Sequence, residues 1–171
     1  MRTFAAIVGC AALLLAGCTH SEEQAQDGEE GSDLPSLAAD LSQPQLALAD
    51  HLLANYFASD VATRPTVCLA VNDGREDVAL DPAAERELMM RYAALSPLSG
   101  CTLMGGWLDA VSGEPALVFS ISGFTCADAE HCTAFGSYMS GDQSSISSRY
   151  TMLWDGAAWG FERDDRLMGA E

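Results

Sequence analysis

Apolar and polar positions divide the chain into three stretches with different patterns. Residues 4–17 form an uncharged, largely apolar run of 14 residues, and residues 19–33 are acidic with no large apolar side chain. After Leu34, apolar residues recur first with a helical period and later with a period of two, as in elements that pack on a core. We therefore expect three regions: a signal segment over 1–17, a flexible tether over 18–33 and one globular domain over 34–171.

The first helix is predicted to begin at Ser42. A serine there can act as the N-cap, Gln45 completes a capping box, and Pro44 suits the first turn, where a missing N–H leaves no bond unmade. His51 falls on the far side of the helical wheel, so we expect it to be exposed. The apolar stripe of this helix, at spacings of three and four residues, comprises Leu46, Ala49, Leu53, Tyr56 and Phe57.

A second helix is predicted after Asp81, with this aspartate as the N-cap and Pro82 in the first position. It is expected to continue to Ser96, where the following proline stops it. Between the helices, residues 66–71 are apolar and rich in β-branched side chains, and a turn signal beginning at Asn72 follows them. This run predicts a strand.

Period-two patterns after Cys101 predict strands separated by turns. The predicted strands cover residues 101–111 (interrupted or bulged at Gly105 and Gly106), 116–124, 132–140, 146–154 and 157–163. Two helices followed by such a series indicate an α+β fold, with two helices packed on a curved, mostly antiparallel sheet of four to six strands.

The last two strands are joined by Asp155 and Gly156, a dipeptide that favours a two-residue hairpin turn. This turn sets Trp154 opposite Ala157. The register then pairs Met152 with Trp159, Tyr150 with Phe161 and, on the other face, Arg149 with Glu162. The first two pairs are expected to face the core.

Four of the six cysteines lie in the domain, beyond Cys18. An even number of cysteines in an exported domain indicates two disulfide bonds. Cys126 and Cys132 flank a short polar loop and are expected to pair, which leaves Cys68 to pair with Cys101. The domain contains no Cys-x-x-Cys pair, so we expect no zinc site.

The chain is strongly acidic, with 25 aspartates and glutamates, 8 arginines and no lysine, for a formal charge of −17. This charge argues against a nucleic-acid partner and against electrostatic adhesion to anionic lipid. The absence of lysine excludes a P-loop, a Ser-x-x-Lys acyl-enzyme and a Schiff base. No cofactor motif is recognisable in the sequence, so no cofactor is expected.

Few residues suggest catalysis or metal binding, and we assign no catalytic residue. His131 lies near Asp128 and Glu130, but one imidazole with two loop carboxylates makes a poor cation site, and a solvated loop is the preferred interpretation. The three tryptophans have two alternative interpretations: they form a platform on which a sugar stacks, or they pack in the core. These residues are Trp107, Trp154 and Trp159. Aromatic residues on a sheet beside helices favour the core.

The run Leu15-Ala16-Gly17-Cys18, after a short basic start and the apolar stretch, resembles the lipobox of bacterial lipoproteins. The resemblance implies cleavage before Cys18 and acylation of this cysteine, and two or more acyl chains anchor a protein stably. An ordinary secretory signal is the alternative. The residue after the cysteine is Thr19 and not aspartate, which implies the outer membrane in an organism that has one. We expect a periplasm-facing protein held at the cell envelope by lipid.

The order of elements over residues 41–163, with the aromatic hairpin from Tyr150 to Trp159, resembles cystatin-like and NTF2-like folds. This resemblance transfers no catalytic residue. Together with the lipobox it leads us to expect an envelope lipoprotein that acts as a non-catalytic binding or structural module. The alternative is a small-ligand or enzymatic pocket between the sheet and the first helix, as NTF2-like folds allow. A deep pocket containing His51 or buried carboxylates would favour that alternative.

Overall fold

The domain has two α-helices and eight strands in the part of the chain that the structure describes. The structure is a computed structural model, and it describes residues 34–60, 62–141 and 145–164. The predicted signal segment, lipobox and tether, including Cys18, lie outside these residues. The elements are α1 (Pro44–Phe57), β1 (Thr66–Asn72), β2 (Asp77–Val78), α2 (Pro82–Arg91), β3 (Cys101–Leu103), β4 (Trp107–Asp109), β5 (Ala116–Cys126), β6 (His131–Ser140), β7 (Ser145–Trp154) and β8 (Trp159–Asp164).

Six of these strands form one sheet in the order β2-β1-β5-β6-β7-β8. All neighbouring pairs in it are antiparallel except β1 and β5, which are parallel. Parallel neighbours need a long connection, and here β2, α2 and the β3–β4 hairpin supply it. The predicted α+β fold with two helices on a mostly antiparallel sheet is confirmed. The parallel pair was not foreseen.

The two helices pack on one face of the sheet, which we call the inner face. Leu117, Phe119 and Ile121 of β5 point into this core, as their period-two spacing predicts. The buried part of α1 is broader than the predicted stripe. The same core also includes Leu37 before the helix and Leu88 of α2. The buried residues of α1 are Leu46, Ala47, Leu48, Ala49, Leu52 and Leu53. No helix in the described residues combines the length and the apolar character needed to cross a membrane.

The hairpin β3–β4 covers part of the opposite, outer face. The predicted interruption of the 101–111 strand at Gly105 and Gly106 is confirmed, but the chain also reverses there into a hairpin, at Gly105, whose φ of 77° glycine adopts readily. Cys101 then pairs with Asp109 and Leu103 with Trp107. The hairpin packs over β1 and β5 in a small second cluster: Cys68, Ala70, Cys101, Trp107, Ala116 and Val118.

The start of α1 and the end of α2 differ from the predicted boundaries, the first through a local contact and the second through a long-range one. The N-cap of α1 is Gln43 and not Ser42, because the amide and the hydroxyl of Ser42 both donate to the Asp40 carboxylate. In α2 the Asp81 N-cap is confirmed by its bond from the Ala83 amide at 2.9 Å. This helix ends at Arg91, short of Ser96, whose amide donates to the Val67 carbonyl of β1 at 2.8 Å.

The last hairpin has the predicted faces but a different register. Trp154 pairs with Trp159, so the loop holds four residues and not two. The Asp155 carboxylate accepts bonds from the amides of Ala157 and Ala158, which stabilises this longer turn. Because the register differs by an even number of residues, the core-facing set is preserved: Tyr150, Met152 and Trp159 are buried and Phe161 packs against them. Arg149 consequently lies opposite Asp164, and Glu162 opposite Thr151.

Two disulfide bonds join the four cysteines as Cys68–Cys101 and Cys126–Cys132. This connectivity is the one expected from the sequence. The first bond ties β1 to the hairpin across 33 positions of sequence. The second joins residues that face each other across β5 and β6 at the end of that strand pair.

Candidate functional site

A cleft of about 410 Å³ lies on the inner face of the sheet, beside the C-terminal half of α1. The helix contributes Leu52, Asn55 and Tyr56 to one wall. The opposite wall and the floor come from four neighbouring strands, β5 to β8. Its volume falls in the range that small-molecule sites occupy in proteins.

The floor of the cleft is made by two small residues in neighbouring strands. Gly136 of β6 is the register partner of Ser148 of β7. A Cβ atom at Gly136 would lie 2.9 Å from Cε2 of Tyr150 and 3.0 Å from Cδ2 of Leu52, so glycine is required for this close approach of helix and sheet. The missing side chain at Gly136 therefore lets Leu52 of α1 and Tyr150 of β7 lie directly over the sheet at the cleft floor.

The walls are largely aromatic. Phe119 of β5 lies opposite Tyr138 of β6 with ring centroids 5.8 Å apart, and Tyr56 of α1 meets Phe119 edge to face at 5.4 Å. Partial burial raises the pKa of the Tyr56 hydroxyl. Arg64 lies 5.8 Å from the Tyr56 ring and donates to the carbonyls of Phe57 and Ser59. These bonds satisfy carbonyls at the C-terminal end of α1.

One arginine stands at the rim of the cleft. Arg163 of β8 is the register partner of Tyr150 and contributes to the lining with an exposed side chain. The lining contains no aspartate and no glutamate among the described residues. Two other clefts of the described domain differ in this respect, since one includes Asp81 and the other Asp77. Among the described residues, Arg163 is thus the charged side chain of this lining.

His51 is half-buried, so the prediction that it is exposed is wrong. Its ring stacks on Phe161 at 4.3 Å and meets Tyr150 edge to face at 5.9 Å. A helical wheel describes only the residues of α1. It could not predict the contact of His51 with Phe161, because Phe161 belongs to β8. Burial lowers the pKa of His51, Asp50 opposes the shift and Arg163 adds to it. His51 does not line the cleft, but its Nε2 lies 3.0 Å from Nδ2 of Asn55, which does.

The loop at His131 uses its polar groups internally. Asp128 accepts from the Glu130 amide at 2.8 Å and contacts Nδ1 of His131 at 2.8 Å. The hydrogen bond with His131 is the main cause of the lowered pKa of Asp128. Over residues 34–60, 62–141 and 145–164, the structure brings no three metal-ligating side chains together.

The tryptophans do not form a common platform. Trp154 and Trp159 meet edge to face at 5.7 Å on the inner face, and Nε1 of Trp159 donates to the Asp40 carbonyl at 3.1 Å. Trp107 of β4 is buried between the hairpin and the outer face. A sugar cannot stack across a sheet, so these residues serve the two cores.

Sequence reasoning did not single out Gly136, Tyr138, Ser148 or Arg163 as site residues. A signal was present, because inward positions of β6 and β7 carry glycine and serine where core strands carry large apolar residues. Comparisons with protein-family models, with curated proteins and with solved structures give no match to this chain.

Proposed function

We propose that this protein is a lipid-anchored binding protein of the cell envelope that holds a small ligand in the inner cleft without catalysing a reaction. The observation that supports binding is the cleft itself, with a floor of Gly136 and Ser148, aromatic walls and a polar rim. Concave, mostly apolar sites with a few placed polar groups are typical of ligand binding.

The side chains of the cleft favour recognition over chemistry. Among the described residues, its lining has no cysteine, and no histidine or carboxylate to act as the base that would activate its serine hydroxyls. The enzymatic alternative would need His51, and this ring is stacked on Phe161 outside the lining. The Tyr138 hydroxyl and the side-chain carbonyl oxygen of Asn55 suit hydrogen bonds to a ligand.

The anchoring part of the proposal rests on the resemblance of Leu15-Ala16-Gly17-Cys18 to a lipobox. A formal charge of −17 disfavours electrostatic attachment to anionic lipid, so acyl chains on Cys18 are the membrane contact that we propose. The periplasmic side of the outer membrane is the proposed location, given Thr19 after the cysteine. The same charge disfavours nucleic acid as a partner.

The cleft is tested with a neutral aromatic probe, 2-naphthamide, added to the ¹⁵N-labelled domain. We expect concentration-dependent shifts of the amide signals of Gly136, Tyr138 and Ser148. Ile146→Trp, at the exposed edge of the cleft, should abolish these shifts by filling the entrance. The matched control is Leu153→Trp, an aliphatic position of similar exposure on the outer face of the same strand. Equal loss in both variants, or shifts elsewhere only, would refute the site.

The anchor is tested by metabolic labelling with an alkyne fatty acid in the native host. Wild type should carry the label and enter the detergent phase, and Cys18→Ser should lose both properties. Cys10→Ser, within the apolar run, is the control and should still be labelled. An unlabelled wild-type protein would mean that the signal is an ordinary secretory one.

A further inference from the structure

We propose that a second ligand site lies on the outer face of the sheet and takes a primary amine, whose ammonium group contacts Asp77 and Ser120. The site is a cleft of about 360 Å³ next to the β3–β4 hairpin, which we call the outer cleft. It lies on the face opposite the inner cleft and is independent of the function proposed for that cleft. Its lining includes Asn72, Asp77, Trp107, Ser120, Ser137 and Met139.

The carboxylate of Asp77 is held in place from two strands. Its Oδ1 accepts from Nδ2 of Asn72 at 3.1 Å and from Oγ of Ser120 at 3.0 Å. Asn72 is its register partner on β1, whereas Ser120 belongs to β5, on the far side of β1. Within the described residues, Oδ2 of Asp77 has no hydrogen-bond partner, so it can accept a bond from a ligand.

The hydroxyl protons of the outer cleft beside Asp77 are already used. Ser120 donates to Asp77, and Ser137, the register partner of Ser120 on β6, donates to the Ser120 carbonyl at 3.3 Å. A serine oxygen that donates its one proton can still accept bonds. The carboxylate and the two hydroxyls therefore offer a ligand lone pairs and no protons. An ammonium group is complementary to them, because it has three donors and no acceptor.

One nitrogen atom can bind both Asp77 and Ser120. Their bonded oxygens lie 3.0 Å apart, and an N–H···O bond spans about 2.9 Å, so both side chains are within reach of the same ammonium group. Its positive charge is opposite to that of Asp77 and to the formal charge of −17 of the chain. No arginine shares the described lining with Asp77 to repel it.

The rest of the outer cleft favours an apolar body on the amine. Val118 lies two positions from Ser120 on the same face of β5, about 7 Å away, and belongs to the same buried cluster as Trp107. Met139 of β6 is the register partner of Val118 and is 36% exposed. A small amine can therefore place its nitrogen at Asp77 and its carbon skeleton against these apolar side chains.

A sugar and a metal ion are the main competitors for this cleft. A sugar hydroxyl carries lone pairs as well as a proton, and the carboxylate and the two serine hydroxyls have no proton to give it. A hard cation such as Ca²⁺ takes about six to eight oxygen ligands. The part of the chain that the structure describes has no group of three metal-ligating side chains. The donor pattern consequently favours the amine.

Three probes with the same apolar body separate charge from hydrogen bonding: cyclohexylmethylamine, cyclohexylmethanol and (cyclohexylmethyl)trimethylammonium. Each is titrated by NMR into the ¹⁵N-labelled, disulfide-bonded protein at physiological salt. We expect the amine to shift the amide signals of Asp77 and Ser120 and to bind roughly fivefold more tightly than the alcohol, as for one partly exposed ion pair. The quaternary ion has the charge without the donors and should bind about threefold more weakly than the amine.

A pair of carboxylate variants locates the ammonium group. Asp77→Asn should bring the affinity for the amine down to that for the alcohol. Glu76→Gln is the matched control, because it removes the same charge one residue away, at an exposed position outside the described lining. It should leave both affinities unchanged. An equal loss in the two variants would reflect overall charge and would overturn the placement at Asp77.

A serine variant keeps the test informative if Asp77→Asn disturbs the fold. Ser120→Ala retains the carboxylate and should weaken binding of the amine about threefold, as for the loss of one hydrogen bond. Thr133→Ala is its control, on β6 and outside the described lining, and should have no effect. Unchanged binding to Ser120→Ala would refute the contact with Ser120.

The remaining outcomes also decide the inference. If the quaternary ion binds as tightly as the amine, charge alone attracts the ligand and the hydrogen-bonded site is wrong. If the alcohol binds as tightly, the ligand class is neutral. If no probe shifts Asp77 or Ser120, the outer cleft is not a ligand site. The inner cleft is reported by other signals, those of Gly136 and Ser148, so its proposed function stands or falls separately.

Discussion

The two faces of the sheet are covered in different ways. On the inner face, two helices and five strands share one large core in which Leu48, Leu53 and Met152 are completely buried. On the outer face, a hairpin with three-residue strands covers only β1 and β5. Beyond the hairpin, Phe135 and Leu153 of the outer face are 38% and 50% exposed.

The comparison shows what each covering needs to stay in place. The helices bury enough apolar surface to be held by packing, since each fully buried large side chain contributes about 1.5–3 kcal/mol. The hairpin has one large buried anchor, Trp107, and is fastened by other means. These are the Cys68–Cys101 bond, a hydrogen bond from Thr66 to Asp109 at 2.7 Å, and the close approach of Gly106 at the hairpin tip to Gly141. Short elements with little area to bury depend on such specific fastenings.

The largest expected effect compares the two buried tryptophans. Trp159→Ala should lower the free energy of unfolding by about 3–5 kcal/mol, because it opens a cavity in the inner core and removes the bond to Asp40. Trp107→Ala should cost less, about 2 kcal/mol, because the small outer cluster can collapse around the gap. Urea melts followed by circular dichroism measure both. An equal loss of unfolding free energy in the two variants would show that the outer cluster contributes as much to stability as the inner core does.

The two disulfide bonds should differ in the same sense. Replacing Cys68 and Cys101 together by alanine should cost about 4 kcal/mol in the chain-entropy model, and replacing Cys126 and Cys132 about 2.5 kcal/mol, because the second loop is shorter. Amide exchange should rise over residues 101–109 in the first variant only. Unchanged exchange there would mean that packing alone holds the hairpin. Peptide mapping without reduction checks the connectivity itself.

The tip of the hairpin gives a smaller effect. A Cβ atom at Gly106 would run into the carbonyl oxygen of Gly141 at the end of β6. Gly106→Ala should therefore destabilise the domain by about 1–3 kcal/mol through overpacking. Gly160→Ala is the control, because its nearest neighbour would lie at 3.6 Å, an ordinary contact, and it should change stability by less than about 0.5 kcal/mol. Equal free energies of unfolding for the two variants would argue against a close approach of the hairpin to the sheet.

The smallest expected effect concerns the edge of the inner face at His51. Its pKa is lowered from 6.5 mainly by burial, so the unfolded chain binds a proton more readily than the folded one. The stabilising contribution is fully present above pH 6.5 and is lost as the pH falls through the lower pKa of the folded state. His51→Gln should flatten this slope of stability against pH. The aspartates with lowered pKa values, such as Asp40 and Asp155, titrate below 3.8 and do not contribute in that range.

Local signals in the sequence determined the elements and the faces of the strands. The Asp81 N-cap, the inward set of β5 and the core-facing residues of the last hairpin follow from neighbours a few residues apart, and the structure has them. The α+β class follows from the order of these elements. Such features are predictable because propensity and period act over short distances along the chain.

Tertiary structure alone decided the rest. Three features bring together residues that are distant in sequence. They are the parallel pairing of β1 with β5, the stacking of Phe161 on His51 and the packing of the β3–β4 hairpin over the sheet. The cleft arose in the same way, because Gly136, Ser148, Tyr56 and Arg163 meet only when four strands and a helix are in place. A local pattern indicates which face of a strand is buried. It does not indicate where packing leaves a space, because that depends on every element around it.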